Sequence, residues 1–127
     1  MTEGKSILLA EDDRFLRRAC ETKLKQAGFD VRVAVDGEEA LTFAREKAPD
    51  LLLLDLLMPR RDGLSVLAEL RRDAATRSIP VVIMSNSSKD IERQKASTLG
   101  VVDYWIKSNL SLQELCDRVS QLLRAET

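Results

Sequence analysis

The side chains with chemistry to offer are few: three consecutive acids, Glu11-Asp12-Asp13, then Asp55, Ser85 and Lys107. The chain contains no histidine. That removes the Ser-His-Asp triad, the HExxH zinc helix and any phosphohistidine role, leaving carboxylates, hydroxyls and lysines. Carboxylates held close together repel unless protons or a cation intervene, and hard oxygen donors suit an octahedral divalent ion such as Mg²⁺. An ionised aspartate can attack phosphorus to give an acyl phosphate. The arriving phosphoryl group adds negative charge to an acidic pocket, so a cation, the Lys107 ammonium and the Ser85 hydroxyl would have to act on its oxygens. Met singly, each residue has a plainer use: Asp13 as a helix N-cap, Asp55 in a turn, Ser85 as a loop hydroxyl, Lys107 at a solvated strand end.

Whether these residues meet depends on the elements that carry them. Short apolar runs alternate with helix-period segments, the pattern of parallel strands joined by crossover helices. Ser6 to Ala10, Leu51 to Leu54 and Val81 to Met84 are continuously apolar, as central strands covered on both faces should be. Val31, Val33 and Val35 alternate with Arg32 and Ala34 and suit an edge strand, and Asp103 to Lys107 makes a fifth. The first helix has the stripe Leu16, Ala19, Cys20, Leu24 and Ala27, with Gly28 as its stop. Asp36 with Glu39 and Ser111 with Glu114 are capping-box pairs opening the second and fifth helices. Ala40, Phe43 and Ala44 mark the second helix, Leu64, Leu67 and Ala68 the third, and Leu112, Leu115, Cys116, Val119, Leu122 and Leu123 one face of the fifth. Between Lys89 and Leu99 only Ile91, Ala96 and Leu99 are apolar, and Lys95 falls one turn after Ile91 on the expected buried side, so the fourth helix should be weakly held.

Five strands and five helices in alternation predict an α/β domain, (βα)5, with a doubly wound five-stranded parallel sheet. Right-handed crossovers bring every strand's C-terminal end to one edge, where open α/β sheets bind ligands. Glu11, Asp12 and Asp13, Asp55, Ser85 and Lys107 all lie at such ends, so they should converge.

A chain of 127 residues suits one core. Its 20 Lys+Arg against 21 Asp+Glu argue against a nucleic-acid surface or a polybasic anchor. No apolar run is long enough to span a bilayer, Met1 to Ser6 does not read as a signal peptide, and Cys20 and Cys116 read as buried free thiols, so a cytoplasmic protein is expected. Neither GxGxxG nor GxxxxGK[ST] occurs, which excludes the common nucleotide sites.

In this order and on this fold, the residues resemble the receiver domains of bacterial two-component response regulators, the CheY-like family. The resemblance spans the whole chain. It rests on Glu11-Asp12-Asp13, on Asp55 with Met58-Pro59 and Asp62-Gly63, on Ser85, and on Tyr104 three residues before Lys107. It implies the flavodoxin-like strand order 2-1-3-4-5 and a phosphorylation-dependent signalling switch. Asp55 would be the phosphoacceptor, supplied by a histidine kinase or histidine phosphotransfer protein. Mg²⁺ would be bound by Asp12, Asp55 and the Leu57 main-chain carbonyl, with Glu11 reaching it through water. Ser85, Asn86 and Lys107 would lie against the phosphoryl group, and Tyr104 would turn inward when Ser85 is drawn toward it. A downstream protein would dock on the face made by the fourth helix, fifth strand and fifth helix, which is also the candidate surface for a homodimer. The domain would modify itself rather than turn over an external substrate. Thr127 follows the last helix almost at once, so residues 1–127 are expected to form one receiver domain without an output domain.

Some positions depart from the family pattern. Ser108 stands where proline, often cis, usually follows the lysine, and a cis bond without proline costs about 2.5 to 4 kcal/mol, so a trans bond is expected. Asn86 puts a bulky amide beside the phosphate's approach. Leu57 and Ser87 sit where water would reach the phosphoryl group, and Leu57 offers that water no hydrogen bond, so slow hydrolysis is expected. Two other readings stand beside the switch. One is a degenerate receiver that binds partners without phosphorylation. The other is a haloacid-dehalogenase-type phosphatase, which needs a second aspartate where this chain has Leu57.

Overall fold

The computed structural model describes residues 4–58, 60–86 and 89–125. Pro59 and Ser87, both singled out above, lie outside the described residues, as do Met1 to Glu3 of the amino terminus. The elements run β1 (Ser6–Ala10), α1 (Arg14–Gln26), β2 (Asp30–Ala34), α2 (Gly37–Glu46), β3 (Leu51–Asp55), α3 (Gly63–Arg72), β4 (Val81–Ser85), α4 (Asp90–Thr98), β5 (Asp103–Ile106) and α5 (Leu112–Ala125). All strand pairs are parallel and the sheet order is β2-β1-β3-β4-β5, so the expected doubly wound topology is the observed one.

Strand alternation divides the core into two layers. Leu8, Ala10, Leu52, Leu54, Val81, Ile83 and Tyr104 face α2, α3 and α4, while Ile7, Leu9, Leu51, Leu53, Val82, Met84 and Trp105 face α1 and α5. Every residue of β1, β3 and β4 is buried, and their polar residues, Ser6, Asp55 and Ser85, stand only at the strand ends. The edge strand β2 leaves Asp30 exposed and Arg32 and Val33 half-buried. Cys20 and Cys116 are buried free thiols in the α1–α5 layer. Among the described residues no helix is long and apolar enough to cross a membrane.

The helix ends follow their chemistry. Asp13 caps α1 by accepting from the N–H groups of Phe15 and Leu16 at 3.0 and 3.1 Å. Gly28, at φ 100°, takes the left-handed turn that lets Phe29 N–H return to the Leu24 carbonyl. Ser111 and Glu114 form a reciprocal capping box. At α2 the box is offset: Asp36 accepts from Glu39 N–H, but Glu39 reaches past Asp36 to the N–H of Val35.

Three expectations need correction. The buried side chains of α3 are Val66, Leu67 and Leu70, so of the expected Leu64, Leu67 and Ala68 only Leu67 is fully buried, while Leu64 packs partly against the core and Ala68 is half-buried. On α5, Leu112 is exposed and leaves the apolar face to begin at Leu115. In α4, Ile91 and Lys95 both face outward and only Ala96 is buried, so no charge is forced into the core. The helix is weakly held nonetheless. Its carboxyl-terminal end is fastened from outside by Arg71, which donates to the carbonyls of Leu99, Gly100, Arg77 and Ile79 at 2.8 to 3.3 Å.

Candidate functional site

The sheet's carboxyl edge brings the expected side chains together. β3 and β1 lie side by side, so Asp55, the last residue of β3, stands near Glu11, which follows β1. Ser85 ends β4 opposite Ile106, and the next residue, Lys107, leaves the sheet. The expectation that β5 includes Lys107 is corrected here: the strand stops at Ile106 and residues Lys107–Asn109 form one turn of 3₁₀ helix. That turn lifts Lys107 over the strand ends.

Lys107 is the hub of the pocket. Its Nζ lies 2.6 Å from Glu11 Oε1 and 2.9 Å from Asp55 Oδ2. Glu11 is fully buried and its second oxygen accepts from Asp13 N–H at 3.0 Å. Asp55 is also buried, and its Oδ1 accepts from Leu57 N–H at 3.3 Å. Asp12 is exposed at the rim, and Arg17 ties the loop down by donating to the carbonyls of Glu11 and Asp12. Oxygen atoms of Glu11, Asp12 and Asp55 all lie within 4.8 Å of one another. A compact set of hard carboxylate donors fits a divalent ion such as Mg²⁺ in its chemistry, with Lys107 offsetting part of the charge when no ion is bound.

Burial and the neighbouring Asp55 charge raise the Glu11 pKa from 4.5 to about 7, against the opposing pull of Lys107 and the Asp13 N–H. Burial alone would pull Lys107 toward neutrality, but its two carboxylate partners outweigh it and hold its pKa above the ordinary lysine value. Folded Glu11 therefore keeps its proton to higher pH than unfolded Glu11. The stability this contributes is complete below pH 4.5 and is lost as pH rises through about 7. In metal-free protein, Glu11→Gln is expected to reduce the fall in unfolding free energy between about pH 5 and pH 8 by about 2 kcal/mol, read by urea unfolding at each pH. Equal falls in parent and variant would remove Glu11 as the titrating group.

The remaining predicted residues divide by exposure. Ser85 is buried, and Tyr104 is 9% exposed, already packed in the α2–α4 layer with the Arg93 guanidinium 4.9 Å above its ring. Trp105 faces the opposite layer, so its indole reports on the α1–α5 side beneath Lys107. Leu57 is 70% exposed. Asn86 is exposed and its Oδ1 accepts from Ser108 N–H at 3.0 Å. No peptide bond among the described residues is cis, so Ser108 follows Lys107 through the expected trans bond.

Sequence reasoning missed three features. The Lys107–Glu11 pair could have been sought from strand alternation, since Glu11 lies two positions after Leu9 and points to the same layer. Phe15, 87% exposed in the first turn of α1, sits on the outer rim near Asp13, and its absence from the helix's apolar stripe was the available signal. The Arg71 clamp left no signal in spacing.

Comparison with known proteins agrees with this geometry. Residues 7–120 match the family model described as the response regulator receiver domain. A probable transcriptional regulator, ycf27, of Cyanophora paradoxa is 38% identical over 120 residues, covering 94% of this chain and 48% of that protein. The chain thus spans about half the length of the curated relatives it matches. Among solved structures, the receiver domain of the Francisella response regulator 1452 is 31% identical, with a TM-score of 0.86 over 98% of this chain and 100% of that one. The phosphorylated cyanobacterial phytochrome response regulator RcpA is 33% identical, with a TM-score of 0.80 over 94% and 91% of the two chains. With five parallel strands in the order 2-1-3-4-5 and an acid pocket at their ends, this chain belongs to the response regulator receiver domain family of two-component signalling.

Proposed function

We propose that the domain is a phosphorylation switch in which Asp55 takes a phosphoryl group from a histidine kinase or phosphotransfer protein. The observation that carries this reading is the buried Asp55 carboxylate, held between the Leu57 N–H and the Lys107 ammonium beside the second acid Glu11. The Asp55 oxygen forms the new bond to phosphorus as the donor's bond to phosphorus breaks, and the departing imidazole is left neutral on protonation. Forming this acyl phosphate, a mixed anhydride, neutralises the Asp55 carboxylate while adding phosphoryl oxygens. Lys107, already 2.9 Å from Asp55, can then turn from carboxylate to phosphoryl oxygen with little movement. Ser85, on the neighbouring strand end, supplies a hydroxyl to the same group, and Asn86 flanks it. Mg²⁺, held by Asp12, Asp55 and the Leu57 carbonyl with Glu11 through water, would neutralise the charge that the phosphoryl group adds. The domain would act on itself and not on an external substrate.

Exposed Phe15 and Leu57 flank this acidic pocket and give a phosphodonor protein apolar ground to rest on. The output face lies across β5. α4 buries only Ala96, so a modest coupling free energy, about 1 to 3 kcal/mol, suffices to bias its position, with Ser85 and Tyr104 linking it to the pocket. A downstream protein, or a second copy of the domain, would read the α4–β5–α5 face. Two buried free thiols suit the reducing cytoplasm.

The test is intact mass after incubation with Mg²⁺ and a small phosphodonor. The parent is expected to gain one phosphoryl group, to lose that gain in chelator, and to keep the group for minutes or longer, because Leu57 gives an attacking water no hydrogen bond. No gain, where a control receiver is modified, would favour a phosphorylation-independent binding module. A half-life of seconds would remove the role assigned to Leu57.

A further inference from the structure

We infer that Asn86 is a positioning residue for Lys107, acting as a helix cap delivered from the neighbouring strand. The strand register places Ser85 opposite Ile106, so Asn86 and Lys107 leave the sheet side by side. Lys107 then opens the 3₁₀ turn Lys107–Asn109, in which Ser108 is the second residue. The first N–H groups of any helical turn lack a partner within it, and a capping oxygen usually satisfies the second or third. The residue in the capping position here is Ile106, whose side chain has no acceptor. Asn86 Oδ1 fills the gap by accepting from Ser108 N–H at 3.0 Å.

The consequence falls on Lys107. Its ammonium must reach two buried carboxylates at once, at 2.6 and 2.9 Å, from the end of a four-carbon stem. Such a stem has much rotamer freedom to lose, so its aim depends on a fixed backbone at its root. The Asn86–Ser108 bond fixes that root, and it also couples the loop after β4, which begins at Asn86, to the turn that carries Lys107. The ends of β4 and β5, two of the strand ends at the pocket, are thereby tied to each other. Asn86 and Ser108 are exposed or nearly so, and the acceptor can be removed without opening the core.

The bearing of this latch on phosphoryl transfer rests on the reading of Asp55 given above; its hold on Lys107 does not. The experiment compares the parent with Asn86→Leu and Asn86→Ala, which lack the acceptor, and Asn86→Asp, which keeps it. Amide hydrogen exchange is read at Ser108, and acylation by a small anhydride is read by peptide mass at Lys107 relative to the exposed Lys47 and Lys95. Loss of the acceptor is expected to raise Ser108 exchange about tenfold and Lys107 acylation about threefold, and to slow phosphoryl uptake from a small donor about fivefold. Asn86→Asp is expected to return exchange and acylation to the parent level or below. Unchanged Ser108 exchange in both acceptor-less variants, or faster exchange with unchanged Lys107 acylation, would overturn the assignment. A parent that takes up no phosphoryl group would overturn the Asp55 reading alone, since exchange and acylation still decide the role of Asn86.

Discussion

Asp55→Asn is expected to abolish phosphoryl uptake, read as complete loss of the one-phosphoryl mass gain that the parent shows with Mg²⁺ and a small donor. The change replaces an anionic oxygen by a neutral amide of nearly the same shape, so packing at the end of β3 survives while the nucleophile does not. A loss of at least about a thousandfold in rate is expected, since an uncharged amide has little tendency to attack phosphorus. Stability should move little. Lys107 keeps Glu11 at 2.6 Å when Asp55 loses its charge, and the Asp55 charge is one of the causes raising the Glu11 pKa to about 7, so its removal relieves that strain on Glu11. One favourable and one unfavourable change oppose each other, and unfolding free energy is expected to stay within about 1 kcal/mol of the parent. A mass gain that persists in the variant would move the acceptor to Glu11 or Asp12. A variant that is silent and also unfolded would leave the nucleophile unassigned by this substitution, and Asp55→Glu, which keeps a carboxylate at shifted reach, then separates shape from chemistry.

The local rules of the chain made most of the fold legible before any coordinates. Continuous apolar runs gave the strand interiors at β1, β3 and β4, because a strand covered on both faces is apolar between its ends, and its polar residues, Ser6, Asp55 and Ser85, stand at those ends. Strand polarity then placed Glu11, Asp55, Ser85 and Lys107 at one edge. Alternation puts Glu11 on the side of Leu9, but spacing does not by itself name Lys107 as the partner of both Glu11 and Asp55. Glu11 and Asp12 are adjacent and alike in chemistry, yet one is fully buried against Lys107 and the other exposed at the rim. The α3 stripe was only partly legible for a related reason: Leu64, Leu67 and Ala68 keep helical period, but Val66, Leu67 and Leu70 keep it equally, and packing against the sheet buries the second set while Leu64 stays at its margin. Arg71 lay beyond reach altogether, since its partners are backbone carbonyls far along the chain and carbonyls have no residue type to read.

Gly63 shows how a local rule can give the wrong sign. It opens α3, and helix propensity alone would have Gly63→Ala stabilise the domain by about 1 kcal/mol. The structure predicts the opposite. A β-carbon at Gly63 would meet the carbonyl oxygen of Asp55 and lie 2.8 Å from the Leu56 Cα, both of them backbone atoms that cannot swing aside. The approach is this close because Gly63 N–H donates to the Leu56 carbonyl at 2.8 Å, pulling the first turn of α3 onto the end of β3. Nor is the glycine there for a left-handed conformation, since the positive-φ glycines among the described residues are Gly4, Gly28 and Gly100. Overpacking of this kind costs about 1 to 3 kcal/mol, and the backbone contacts put Gly63→Ala near the upper end, about 3 kcal/mol less stable by urea unfolding. The displaced atoms include the main chain of Asp55 itself, so phosphoryl uptake is expected to slow about tenfold in protein that is still folded at the assay temperature. A variant as stable as the parent would mean that α3 can lift off β3 without cost, and unchanged uptake in a destabilised variant would mean that the aim of Asp55 does not depend on the helix packed beneath it.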